Sequence, residues 1–106
     1  MLRAALDEHR ASLGDSARFV ETDMAFHRAI AKVSGNPVYM AVSQALLQWL
    51  QNFYEDVVRT PSGTEQITLD EHTRLFECIA NHDPAAVEEA VRDHLLRAHT
   101  LYRVDP

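Results

Sequence analysis

Asp23 and His27 stand four residues apart in a segment with strong helical character. On an α-helix, positions i and i+4 lie one above the other, so this carboxylate and this imidazole project into the same small volume. Burying two such groups costs free energy unless each finds a strong partner. We expect burial because the same face carries an apolar series at helical spacing: Phe19, Phe26, Ile30 and Val33.

His72 and His94 fall on the apolar faces of two other predicted helices. Together with Asp23 and His27 they supply one oxygen and three nitrogens, a donor set suited to Zn²⁺ and other divalent first-row metals. Such an ion would cross-link three helices and add to folding stability. The alternative is a set of core histidines bonded to carbonyl groups. His9 also lies on an apolar face, so position alone does not separate the two cases.

The composition is that of an ordinary globular domain, with 46% hydrophobic and 25% charged residues in a chain of 106. A net charge of −6 argues against direct nucleic-acid binding, which needs a positive field. No apolar run is long enough to cross a bilayer, and the N-terminus carries charges where a signal peptide is apolar. The single cysteine, Cys78, excludes an intrachain disulfide. We therefore expect a cytoplasmic location.

Helical periodicity predicts an all-α fold, an antiparallel bundle of about five helices. The predicted helices cover residues 1–13, 16–34, about 37–59, 68–81 and 84–102. Their bounds depend on local signals: Gly14, Ser34-Gly-Asn-Pro37, a loop at 60–64, a capping box from Thr68 to Glu71, and Asp83 before Pro84.

The third predicted helix is apolar around much of its circumference. One stripe consists of Val38, Val42, Leu46, Trp49, Phe53 and Val57, and it is extended by Leu47, Leu50, Tyr54 and Val58. A helix of this kind is expected to contact neighbours on two sides, either within the bundle or across a dimer interface.

Four sequence motifs, in this order, resemble those of the FCD domain, the effector-sensing domain of GntR-type bacterial transcription regulators. They are Asp23-Met-Ala-Phe-His27, Ser34-Gly-Asn-Pro37, Glu71-His72, and the segment from Asp83-Pro84 to His94. The resemblance implies a helical bundle that binds a divalent metal through one Asp and three His, with a small organic acid completing the coordination. Its ligands would be Asp23, His27, His72 and His94, with zinc expected first and nickel or manganese as alternatives.

The resemblance covers about residues 16–98. It implies one sensing domain over residues 1–106 that lacks its first helix and the N-terminal winged helix-turn-helix domain, through which family members bind DNA. Family members commonly form homodimers. The family often has Gly-Asp before the last helix, where this chain has His82-Asp83, and we expect Asp83 to retain the cap.

Three functions remain open at this stage. In a sensor, an effector carboxylate replaces water on the metal and Arg59 helps to neutralise it. In a metal hydrolase, a general base must lie near the bound water, and we find no inward carboxylate to spare beyond Asp23. In a purely structural or dimerisation bundle, the histidines stay neutral and a chelator leaves the melting temperature unchanged. We expect the sensor and not an enzyme.

Overall fold

The computed structural model describes residues 2–57 and 64–101, which form five α-helices and no strand. The all-α fold is therefore confirmed. The helices are α1 (Leu2–Ala11), α2 (Ser16–Val33), α3 (Pro37–Val57), α4 (Thr64–Ala80) and α5 (Pro84–Leu101). Among the helices described, none has both the length and the apolar character needed to cross a membrane.

Three of these helices begin with the caps expected from the sequence. The side chains of Asp15, Asn36 and Asp83 each accept a hydrogen bond from a backbone N–H two or three residues later, at 3.2, 3.0 and 3.1 Å. Gly14 and Gly35 precede the first two caps with φ values of 96° and 70°, a conformation that favours glycine. Local side-chain chemistry therefore sets where α2, α3 and α5 start.

The predicted start of α4 was wrong. The helix begins at Thr64, so the Thr68–Glu71 segment lies inside it and is not a capping box. Because Glu65 and Gln66 are good helix formers, the helix extends one turn further toward the N-terminus than the capping motif indicated. Thr68 is buried and its hydroxyl accepts a hydrogen bond from Arg97 instead of from a backbone N–H.

The chain divides into two units, Met1–Glu65 and Gln66–Pro106. In the first unit, α2 packs against both α1 and α3. Of the apolar series predicted on α2, Phe19 and Phe26 are buried, Ile30 is partly buried, and Val33, at the end of the helix, is exposed. The buried hydrophobic residues of this unit are Leu2, Leu6, Phe19, Met24, Phe26, Ala29, Ala31 and Leu47.

The predicted apolar stripe of α3 is exposed over its described part. Val38, Val42, Leu46 and Trp49 have exposed fractions of 73%, 62%, 55% and 60%, whereas Leu47 is buried. The side chains of Phe53 and Val57 lie outside the described residues. In its described part, α3 therefore buries the predicted extension of the stripe at Leu47 and leaves the first four stripe residues exposed.

The second unit contains α5 and all of α4 after its first two residues. Thr68, Leu69, His72 and Leu75 are buried on α4, and Ala90 is buried on α5. Several side-chain bonds join the two helices, among them an exposed ion pair of 3.0 Å between Arg74 and Asp93. Exposed pairs of this kind contribute little to stability, because water and salt screen the attraction between the charges.

His82 closes α4 in a left-handed conformation, with a φ of 53°. Its backbone N–H donates to the carbonyl of Ile79 at 3.0 Å. The backbone N–H of Asp83 donates to the carbonyl of Cys78 at 3.2 Å. This pairing is the Schellman motif, in which glycine is the usual left-handed residue. The position is the one where the resembled family often has glycine, and Asp83 caps α5 as expected.

His9 is fully buried in the first unit, where its ring lies 4.4 Å from that of Phe19 between centroids. Burial lowers the pKa of its imidazole from 6.5 to about 4. Two smaller effects are the charge of Asp23, which raises this pKa, and the charge of His27, which lowers it. His9 is therefore neutral in the folded chain at neutral pH.

We predict that His82→Gly stabilises the fold. An L-residue in the left-handed conformation costs about 1–2 kcal/mol, and glycine removes this cost. Part of the resulting gain in stability is offset because glycine gives the unfolded chain more conformational freedom. The free energy of unfolding from urea titration should rise by roughly 0.5–1 kcal/mol. His82→Ala keeps the Cβ and serves as the control, with no such gain expected. A loss of stability in the glycine variant would contradict this explanation.

We also predict that His9 makes the metal-free fold sensitive to acid. Between pH 6.5 and about 4, the unfolded chain binds a proton that the buried imidazole does not. The free energy of unfolding should therefore fall as pH falls through this window, by roughly 3 kcal/mol in total. Urea titrations at a series of pH values, in the presence of a chelator, measure this change in the free energy of unfolding. His9→Gln should flatten the dependence, whereas His82→Gln, at an exposed histidine, should leave it intact; equal slopes in all three proteins would contradict the prediction.

Candidate metal centre

Helix α2 places Asp23 and His27 one turn apart, as the sequence predicts. Oδ1 of Asp23 lies 3.1 Å from Nε2 of His27, and the two side chains are 14% and 25% exposed. The pair is thus mostly removed from water but still accessible. An oxygen donor and a nitrogen donor lie side by side at this position of the first unit.

His9 adds a third polar group near this pair. One of its ring nitrogens lies within 4.8 Å of a carboxylate oxygen of Asp23. Its Nδ1 lies 3.0 Å from Oγ1 of Thr22, and that hydroxyl donates to the carbonyl of Arg18 at 2.9 Å. The Thr22 hydroxyl also lies 2.8 Å from Oγ of Ser12, so Nδ1 of His9 belongs to a buried group of polar side chains. His9 is a core histidine beside the pair.

The second unit brings His72 and His94 together from α4 and α5. Their Nε2 atoms lie 3.2 Å apart and their ring centroids 4.7 Å apart. His72 is fully buried, and the side chain of His94 is 12% exposed. The two histidines predicted from separate helices are therefore neighbours.

Glu71 is a site residue that sequence reasoning missed. Its Oε1 lies 2.8 Å from Nδ1 of His94 and 2.7 Å from Nε of Arg97, and its side chain is 22% exposed. Thr68, three residues before it, accepts from Nη2 of Arg97 at 2.6 Å. The spacing of Thr68, Glu71 and His72 could have revealed a shared helix face, but a capping box explained the first two residues equally well.

The donor spacing fits a metal ion. Two donor atoms bound side by side to one first-row divalent ion lie roughly 3.0–3.4 Å apart when their bonds are about 2.0–2.1 Å long. The distance between Asp23 and His27 in the first unit is 3.1 Å from oxygen to nitrogen. The distance between the imidazole nitrogens in the second unit is 3.2 Å, and both distances fall within this range. Each unit therefore presents two donors with the chemistry and separation that such an ion requires. Arg59, the predicted effector contact, lies outside the described residues.

Comparison with known proteins gives a family match and several related transcriptional repressors. A family model described as the FCD domain matches residues 1–97. The HTH-type transcriptional repressor NanR of Klebsiella aerogenes is 33% identical over 110 residues, which cover 97% of this chain and 40% of that protein. Repressors of the same name from Escherichia coli K12 and Shigella flexneri are each 32% identical over 102 residues, covering 90% of this chain and 36% of theirs. No solved structure matches the chain significantly. The chain thus spans less than half the length of these relatives.

Proposed function

The chain belongs to the FCD family, the effector-sensing domains of GntR-type transcription regulators, and from this we propose that it detects a small organic acid with a bound divalent metal ion. The family prediction made from the sequence motifs is confirmed, and with it a role in sensing instead of catalysis. The observation that carries the metal-dependent part is the pair of donors at metal-like spacing in each unit.

We propose that the four side chains predicted from the sequence, Asp23, His27, His72 and His94, are the ligands of a divalent metal ion. Three imidazole nitrogens and one carboxylate oxygen suit zinc, with nickel and manganese as the alternatives. When bound, the ion would offer the remaining coordination position to an oxygen donor. The protein side chains hold the ion, and their burial limits competition from water.

The proposed effector is a small carboxylate. It would replace water at the open position, and a basic side chain would balance its charge, a role we assign to Arg59. Effector binding changes regulation only if one arrangement of the domain binds it more tightly than another. We propose this class of effector because a carboxylate oxygen is a suitable donor for the open coordination position of a divalent metal ion.

The remaining parts of a regulator would lie outside this chain. The net charge of −6 leaves DNA binding to a separate N-terminal domain, and the relatives matched here are more than twice as long. We propose a cytoplasmic homodimer. Its interface would include the exposed stripe of α3, in which Val38, Val42, Leu46 and Trp49 recur at a spacing typical of helix–helix contacts.

The metal hydrolase is the weaker alternative. It requires a carboxylate that is free to act as a general base near the bound water. Glu71 is the inward carboxylate that sequence reasoning overlooked, but its Oε1 already accepts hydrogen bonds from His94 and Arg97. Because both of these contacts occupy the same oxygen, the arrangement favours a structural role for Glu71.

We predict that the chain binds one metal ion and that binding depends on each of the four proposed ligands. Metal-free protein titrated with zinc should bind one ion per chain, and both His27→Ala and His72→Ala should abolish tight binding. Because the metal binds only the folded state, chelation should lower the melting temperature by roughly 10 °C when zinc was present at about 100 times Kd. His82→Ala, at an exposed histidine, is the control and should bind like the parent protein. Retention of one ion in each of the two variants would show separate sites, and no effect of the chelator would favour the structural bundle.

We further predict that effector binding depends on the metal. In calorimetry with a panel of small mono- and dicarboxylates, the zinc-loaded protein should bind at least one, and the metal-stripped protein should bind it at least tenfold more weakly. The corresponding uncharged amides are matched controls and should not bind. Equal affinity for loaded and stripped protein would place the effector away from the metal.

A further inference from the structure

We infer that Glu71 is a positioning residue that fixes the tautomer and orientation of His94 for metal binding. This inference depends on the proposed metal site. It concerns a carboxylate that does not itself touch the ion and acts through the histidine next to it.

The geometry gives Glu71 two donors on one oxygen. Nδ1 of His94 and Nε of Arg97 approach Oε1 at 2.8 and 2.7 Å. A carboxylate only accepts hydrogen bonds, and here both neighbouring groups present a nitrogen to the same oxygen. The hydrogen between Glu71 and His94 therefore sits on Nδ1 of the imidazole.

The consequence for His94 is a defined tautomer. With the proton on Nδ1, the lone pair of the neutral ring is on Nε2. That atom is the one 3.2 Å from Nε2 of His72. In the metal-free chain, Nε2–H of His72 then donates a hydrogen bond to Nε2 of His94. The lone pair of His94 that accepts this bond is the one that a metal ion would use. Glu71 thus prepares His94 as an Nε2 ligand before any metal binds.

Arg97 and Thr68 hold Glu71 in place. Arg97 spans from Oε1 of Glu71 to Oγ1 of Thr68, with its Nη2 donating to that hydroxyl at 2.6 Å. Thr68 is buried on the same helix as Glu71, one turn earlier. The guanidinium is therefore anchored at two points, and the carboxylate has little freedom to turn away from His94.

Two measurements on Glu71→Gln test this inference. Carboxylate partners of metal-bound histidines typically contribute a factor of 10–100 to metal affinity. Competition with a chromophoric chelator should show zinc binding weakened by about 10–100-fold in Glu71→Gln. Glu77→Gln, at an exposed position of the same helix, should stay within about twofold of the parent protein. In metal-free protein, ¹⁵N chemical shifts should show His94 protonated at Nδ1 in the parent and in a mixture of tautomers in Glu71→Gln.

Arg97→Gln provides a second variant should Glu71→Gln fold poorly. It keeps the carboxylate and removes its cation, so zinc affinity should fall by less than in Glu71→Gln while His94 stays mainly Nδ1-protonated. Unchanged zinc affinity and an unchanged tautomer in Glu71→Gln would overturn the inference and leave the metal site intact. His94 protonated at Nε2 in the parent would also overturn it. If the parent binds no zinc, the proposed function fails, and the role of Glu71 toward a ligand fails with it.

Discussion

The free energy cost of holding ionisable side chains away from water is the constraint on which this structure depends. Asp23, His27, His72 and His94 each lie at partly or fully buried positions, and each has a polar atom about 3 Å away. Such groups persist in a fold only when hydrogen bonds or a metal ion replace their hydration. Each pair meets this requirement in part, because Oδ1 of Asp23 and Nδ1 of His72 are buried without satisfying hydrogen-bond geometry, and the proposed metal ion would supply a further partner.

The two pairs are built by different means. In the first unit, Asp23 and His27 belong to one helix, so the helical repeat alone brings them together. In the second unit, His72 and His94 come from different helices, and their contact depends on the turn at His82 and on the hydrogen bonds of Glu71 with His94 and Arg97. A pair made within one helix is robust to tertiary change, whereas a pair made across two helices needs supporting side chains.

This difference explains what could be predicted from the sequence. The Asp23–His27 pair follows from spacing, and the caps at Asp15, Asn36 and Asp83 follow from local chemistry. Glu71 could not be found in this way, because its partner Arg97 is 26 residues distant and only tertiary contact reveals it. The same limit applies to α3, where several faces are apolar and periodicity cannot tell which one packs on α2. At α4, good helix formers before Thr68 extended the helix past a motif that resembles a cap.

The proposed ligand set is tested most directly by anomalous diffraction at the zinc edge from crystals of the zinc-loaded protein. We expect a single anomalous peak per chain, bonded at about 2.0–2.2 Å to a carboxylate oxygen of Asp23 and to ring nitrogens of His27, His72 and His94. Two separate peaks, one beside each pair, or a peak bonded to neither pair, would contradict it.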